Sequence, residues 1–459
     1  VPAAAIDRID RVNEGVGMIT RLPDDDELRE RGHAQREVVK RSALSRVPKD
    51  GRDPMGVLEA QNQDRVPDLL PLRRERMSAS VFTFYRGTAA IMASDLAEEP
   101  DSGIYVASCG DAHVSNFGFY GSSQRSLLFD LNDFDEAAWA PWEWDVKRLV
   151  TSVVVAGRAT DRDPDVVADA ARGTVRAYLR ALEADSELDP VSRFYLHFDA
   201  ASAREGLDPQ SQQVLDKAAE RARRRTGDRA ARRLTALDDQ GRVRFVESPP
   251  AMTHADEQMI PAMQEAITNY LASASVDVRL LMRQYRIVDA ARRAVGVGSV
   301  GTRCYLFLLQ DGDGHSMILQ AKQAGRSVLE EYGHAPQPDE LTETIAINGE
   351  GARVVGLQHI LQAQSDPFLG HLPGLVGDFY VRQFHDMKGG IEIDTLDDIP
   401  FRRYAAACAV LLARAHGQSG NSPEILGYAG KGKSVVRNLV EWAYAYADLA
   451  EKDYAEFLG

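Results

Sequence analysis

The residues with the clearest chemical capacity lie in Cys109-Gly110-Asp111-Ala112-His113-Val114-Ser115-Asn116. Asp111 and Asn116 are five positions apart. A carboxylate there can meet an acceptor hydroxyl while a carboxamide a short loop away coordinates magnesium, the division of labour that phosphoryl transfer needs. Asp, Ser and Asn are also common in turns, so the stretch alone fits a polar turn between strands equally well. A second run places Asp130, Asp133, Asp135 and Glu136 among Phe129, Leu131 and Phe134. Acidic runs are ordinarily solvated loops. This interleaving turns several carboxylates inward, where they are costly without a cation. Asp111, His113, Asp133 and Asp135 together would also suit a metal-dependent hydrolase that works without nucleotide.

The third candidate is Gly296-Val297-Gly298-Ser299-Val300-Gly301, followed 21 positions after Gly301 by Lys322. Gly296, Gly298, Ser299 and Gly301 are expected to let the backbone approach a triphosphate, with Lys322 reaching back to it. A Rossmann site needs a helix directly after its glycines, whereas YLFLLQ reads as a strand, so the pattern fits the small lobe of a kinase instead. The plainer reading of Lys322 is a strand lysine with its stem along the sheet and its head in water. Arg303 is either structural or a phosphate contact. Arg382, Asp386 and Lys388 in DFYVRQFHDMKGG are candidates to line the site, though such charges more often belong to a solvated hinge. His416 fits a helix end better than catalysis. The eight basic residues from Lys217 to Arg233 lack interleaved aromatics and read as an exposed helix or an acceptor-side patch rather than an RNA site.

These residues need elements to hold them. Apolar recurrence at i, i+3, i+4 predicts helices from about Trp144 to Leu281, after a buried helix over about Ser78–Leu96. GIYVASCG and SLLFDLND are strand candidates, with DAHVSNFGFYGSSQR as a loop between them. A strand, Asp-Gly turn and strand are expected across 293–324, and helices again from about 400 to the end. The fold class is therefore α+β. Four segments are expected: an arm over 1–75, a large helical lobe over 76–284, a small β-rich lobe over 285–392, and helices over 393–459 that complete the large lobe. At 459 residues the chain exceeds a single domain by the prior of roughly 150 residues each. Its formal charge of −15 disfavours nucleic acid or anionic lipid as a main partner. Three well-separated cysteines, no signal-like start and no apolar run of membrane length point to the cytoplasm.

CGDAHVSN resembles the HGDxHxxN loop of aminoglycoside and choline kinase-like phosphotransferases, and FDLNDFDEA resembles their metal-binding segment. With FYRGTA, WDVKRL, GVGSVGT and YVRQFHDMKG added, the chain from about Arg74 is similar to a bacterial family of unknown function assigned to the kinase-like superfamily. The resemblance implies a two-lobed kinase-like fold in permuted order, with the catalytic loop ahead of the glycine loop. It implies ATP and Mg2+ as cofactors, Asp111 as the catalytic group, Asn116 and Asp133 as metal ligands with Asp130 and Asp135 as competitors, and Asp145 as a brace for the catalytic loop. A small-molecule hydroxyl or amine would be the acceptor. A nucleotide-binding pseudokinase and an AMP-transferring enzyme are the alternatives. Two departures stand out: Cys109 occupies the usual histidine position, and no acid is evident as partner for Lys322, with Glu330, Glu331, Glu343 and Glu350 as candidates.

Overall fold

A computed structural model describes residues 21–48, 51–255, 260–373, 377–384 and 387–459. Asp386 and residues 1–20 of the expected arm lie outside the described residues. The fold is mixed α+β, with helices dominating and several small antiparallel sheets.

At the centre runs the helix Trp142–Ala159, buried from Trp142 through Gly157. Its sequence suits that place: acids Glu143 and Asp145 in the first turn and Arg158 in the last complement the helix dipole. The helix Pro164–Ser186, capped by the Asp163 side chain on Asp165 N–H, packs beside it. The C-terminal helices return to this layer. Asp398–Gly417 lies along Pro164–Ser186, and Lys433–Leu458 lies along Trp142–Ala159. The first described helix, Asp25–Val38, wraps onto Ser422–Ala429, with Gly32 so close that an added Cβ would fall 1.8 Å from the Glu424 carbonyl oxygen.

The largest sheet has six strands in the order Gly370–Leu372, Asp378–Gln383, Ser316–Ala324, Cys304–Gln310, Arg286–Arg293 and Met252–His254. The expected Asp-Gly turn joins Cys304–Gln310 to Ser316–Ala324, with the Asp311 carboxylate accepting from Asp313 and His315 N–H groups. The register sets Lys322 opposite Cys304 on one side and Tyr380 on the other.

The structure departs from the sequence expectations in four places. FGFYG, read as loop, is the strand Phe117–Gly121, paired with Leu127–Leu131. Tyr105–Ser108 pairs instead with Ala138–Pro141 in a separate ladder. The single helix expected over 78–96 is two, Val81–Arg86 and Ala89–Ala97, broken at Gly87. Finally, the sheet-centred layer begins upstream of residue 285. Met252–His254 is its edge strand, and Tyr270, Ala274, Val278 and Met282, from the helices Ile260–Ser273 and Val276–Met282 and the turn between them, pack on Phe307, Leu309 and Leu319. Among the described residues no helix is long and apolar enough to cross a membrane.

Candidate functional site

The strand Tyr105–Ser108 delivers the chain into Cys109-Gly110. Gly110 has φ +76, and an added Cβ would sit 2.1 Å from the Glu136 carbonyl oxygen, so only glycine fits. The buried Asp145 carboxylate accepts from Cys109 N–H at 2.7 Å and Gly110 N–H at 3.0 Å. Its Oδ2 also faces His416 Nε2 at 3.2 Å, and His416 Nδ1 lies 2.8 Å from the Tyr178 hydroxyl. One helical turn on from Asp145, Arg148 points the same way and its Nε donates to Asp111 Oδ1 at 2.9 Å. Arg148 also donates to the Tyr85 carbonyl. His113 Nε2 stands 3.5 Å from Asp111 Oδ2, and its buried Nδ1 has no partner. Burial pushes the His113 pKa down to about 4, so the ring is neutral beside Asp111 near neutral pH. Asn116 ties the loop to the acidic run, its Nδ2 donating to the carbonyls of Asp111 and Asp133, each at 3.0 Å. That leaves Asn116 Oδ1 as the end able to meet a cation.

The acidic run divides. Asp130 turns away from the cleft into the core, where its carboxylate accepts from Leu131 and Ala363 N–H and lies 3.6 Å from Arg414. Asp133 and Asp135 face Lys322: Nζ is 2.5 Å from Asp135 Oδ2 and 3.3 Å from Asp133 Oδ1. The Tyr380 hydroxyl donates to the other oxygen of Asp135 at 2.6 Å. Burial alone would raise the Asp133 pKa, but Lys322, Arg382 and Lys388 outweigh it and hold the carboxyl well below the usual range. The acid that pairs with Lys322 is therefore Asp135, with Asp133 second, and not a helix glutamate. Glu330 pairs with Arg326, Glu350 pairs with Arg353, Glu343 is exposed, and Glu331 only lines the wall.

The glycine-rich turn links Arg286–Arg293 to Cys304–Gln310. Gly296 (φ +69) and Gly301 (φ +97) take conformations that disfavour other residues, and an added Cβ on Gly298 would lie 3.2 Å from the Arg86 carbonyl oxygen. Gly296, Gly298 and Ser299 line a cleft of about 890 Å3 together with Asp111, His113, Asn116, Asp133, Asp135, Lys322, Arg382 and Lys388. Gly301 does not line it. Its carbonyl accepts from Val66 N–H at 2.8 Å, and it packs on Arg65, so its role is to anchor the turn to the arm. Arg303 also lies off the lining, bonded through N and Nη1 to Gln323 Oε1. Arg382 Nε donates to Gln320 Oε1 at 3.0 Å. Lys388 is pushed down to about 7 by Arg382 and by burial.

Residues 65–459 match a family described as "Uncharacterized protein conserved in bacteria (DUF2252)". The chain belongs to this family. No curated protein and no solved structure matches it significantly. In this DUF2252 member no group of three or more His, Cys, Asp or Glu side chains suited to a metal occurs among the described residues. No all-protein metal cage is formed there. Magnesium needs less: one or two protein oxygens, with phosphate and water completing the octahedron. The Asp133 carboxylate, 47% exposed to the cleft, and Asn116 Oδ1 are donors of that type.

Two arginines escaped sequence reasoning. Arg353, fully buried in the helix Glu350–Leu361, donates to the carbonyls of Asp135, Ala137 and Gly325 and so fastens the acidic run to the end of the Lys322 strand. Its signal was a lone charge within an apolar helical pattern. Arg148 was legible only as the residue one turn after Asp145.

Proposed function

We propose that this protein is an ATP- and Mg2+-dependent phosphotransferase acting on a small-molecule hydroxyl or amine, with a kinase-like two-lobed fold in permuted order. The observation that carries the reading is the meeting of Lys322 and the 296–299 turn with Asp133, Asn116 and Asp111 around one cleft, although nearly two hundred residues separate the two sets. In this reading the sheet-centred layer is the small lobe, and the helices around Trp142–Ala159, with those after 393, form the large one.

Backbone N–H groups of the glycine turn, Lys322 and Arg382 bind the triphosphate. Asn116 Oδ1 and the Asp133 carboxylate would hold magnesium, which would supply positive charge against the triphosphate. Asp111 orients the acceptor. The acceptor oxygen or nitrogen forms a bond to the γ-phosphorus as the bond to the β–γ bridging oxygen breaks, ADP leaves with that electron pair, and the acceptor proton passes to the Asp111 carboxylate. Asp135 holds Lys322 until nucleotide arrives. The Arg148 guanidinium on Asp111 is the one feature that favours the second reading, nucleotide binding without turnover, because it occupies a carboxylate oxygen that an acceptor would need.

The test is a pair of substitutions read by ATP turnover and ATP affinity. Asp111→Ala is expected to leave ATP affinity unchanged and lower turnover at least about a hundredfold, and Lys322→Ala to weaken both. A product heavier by one phosphate rather than by one AMP identifies the group transferred. If the wild type binds ATP without turnover across a broad acceptor panel and Asp111→Ala changes nothing, the regulatory reading replaces this one.

A further inference from the structure

Beside the cleft lies a second cavity of about 570 Å3, a size suited to a small metabolite. It opens onto the catalytic loop. Ser115 and Phe117, which flank Asn116, line both spaces, as do Arg86, Arg225, Gly389 and Gly390. The rest of its lining mixes apolar side chains such as Phe82, Ala156 and Ile391 with hydroxyls and the carboxylates of Glu392 and Asp394.

The two cations at the junction are distinctive. Lys322 is paired with Asp133 and Asp135, Arg148 with Asp111, and Arg221 with Glu392 on the cavity wall. Arg86 and Arg225 have no side-chain hydrogen bond or ion pair among the described residues, and Arg86 Nε is buried without a partner. A buried guanidinium nitrogen left unpaired is costly, and the cost is recovered when an anion arrives. A fork-shaped donor facing the junction suits a carboxylate or phosphate group.

We infer that this side cavity is the acceptor site and that the acceptor is a small hydroxyl-bearing molecule carrying an anionic group, held by Arg86 and Arg225 with its hydroxyl toward Asp111. The acceptor role rests on the phosphotransferase reading, whereas the anion site does not. Neutral or cationic acceptors of similar size leave both guanidiniums unpaired and bind less well.

The test uses thermal unfolding of the full chain with glycerol 3-phosphate, D-glycerate or glycerol at equal concentration and ionic strength. At least one anion is expected to raise Tm by about 2 °C or more over glycerol, by preferential binding to the folded state. That excess should vanish in Arg86→Gln and Arg225→Gln and persist in Lys322→Ala. A phosphate-only response assigns a phosphate ester, a glycerate-only response assigns a carboxylate, and both together assign any anionic group. The exposed, unpaired Arg225 makes Arg225→Gln a safe variant should Arg86→Gln fail to fold. No excess over glycerol, an excess surviving Arg225→Gln, or one lost with Lys322→Ala overturns the inference. Mg2+–ATP is run in parallel: anion binding without an ATP shift removes the phosphotransferase reading and the acceptor role, and an ATP shift without anion binding removes only the side site.

Discussion

His113 shows how one residue's surroundings set its use. The ring is buried against Asp111, with Arg86 and Arg148 nearby, and its pKa falls to about 4 from an ordinary 6.5. A depressed histidine is neutral in the folded state, so its stabilising effect is complete above about 6.5. As pH falls from 6.5 toward 4 the unfolded chain takes up the proton and the folded one does not, so stability declines. His113→Asn is expected to remove about 3 kcal/mol of that decline, read as the difference between wild-type and variant denaturant melts from pH 7 to 4. An unchanged difference across that range would mean that His113 is not held neutral. A second prediction concerns Asp135→Asn. It weakens the closest contact of the nearly buried Lys322 and is expected to cost about 1–3 kcal/mol, reduced from a fully buried pair because the Asp135 side chain is 22% exposed. Asp111, Asn116, Asp133 and Lys322 were legible because residue type and spacing survive without knowledge of packing. The partner of Lys322 was not. No acid was evident there, with four glutamates left as candidates, because the pairing depends on how the loop after Leu131 meets the strand Ser316–Ala324.

At the scale of elements, the helix Glu350–Leu361 and the strand Asp378–Gln383 must touch for Arg353 to reach the acidic run. Gly351 permits this: an added Cβ would fall 2.1 Å from the Phe379 carbonyl oxygen. Gly351→Ala is expected to destabilise the protein by at least about 2 kcal/mol in denaturant melts and to weaken ATP binding, because the helix must move away from the sheet. Long helices and the hairpin around Asp311 were legible from periodicity and turn chemistry. Phe117–Gly121 was not, since its two glycines lower strand propensity and only its pairing with Leu127–Leu131 recovers it. The break at Gly87 was likewise hidden within an apolar run, yet it puts the Arg86 carbonyl beneath Gly298.

Across the whole molecule, distant segments of chain converge on the glycine turn. Arg76 Nη1 donates to the Gly296 carbonyl at 2.6 Å, Val66 N–H donates to Gly301, and Arg52 bridges Asp95 to Asp453 of the last helix. The arm therefore ties the turn to the helical layer. Arg76→Ala is expected to raise KM for ATP several-fold with little change in kcat, since the contact acts on binding rather than on the acceptor step. The hold of residues 65–76 on the glycine turn was not legible, because no local pattern links them to 296–301. The central claim is that Asp133, Asn116 and Lys322 bind a magnesium–triphosphate in one cleft. Calorimetric titration with ATP, with and without Mg2+, tests it most directly on wild type and Asp133→Asn. The account predicts magnesium-dependent binding by the wild type, weakened at least tenfold in Asp133→Asn with the fold intact. No ATP binding by the wild type, or equal magnesium-dependent affinity in the variant, would contradict it.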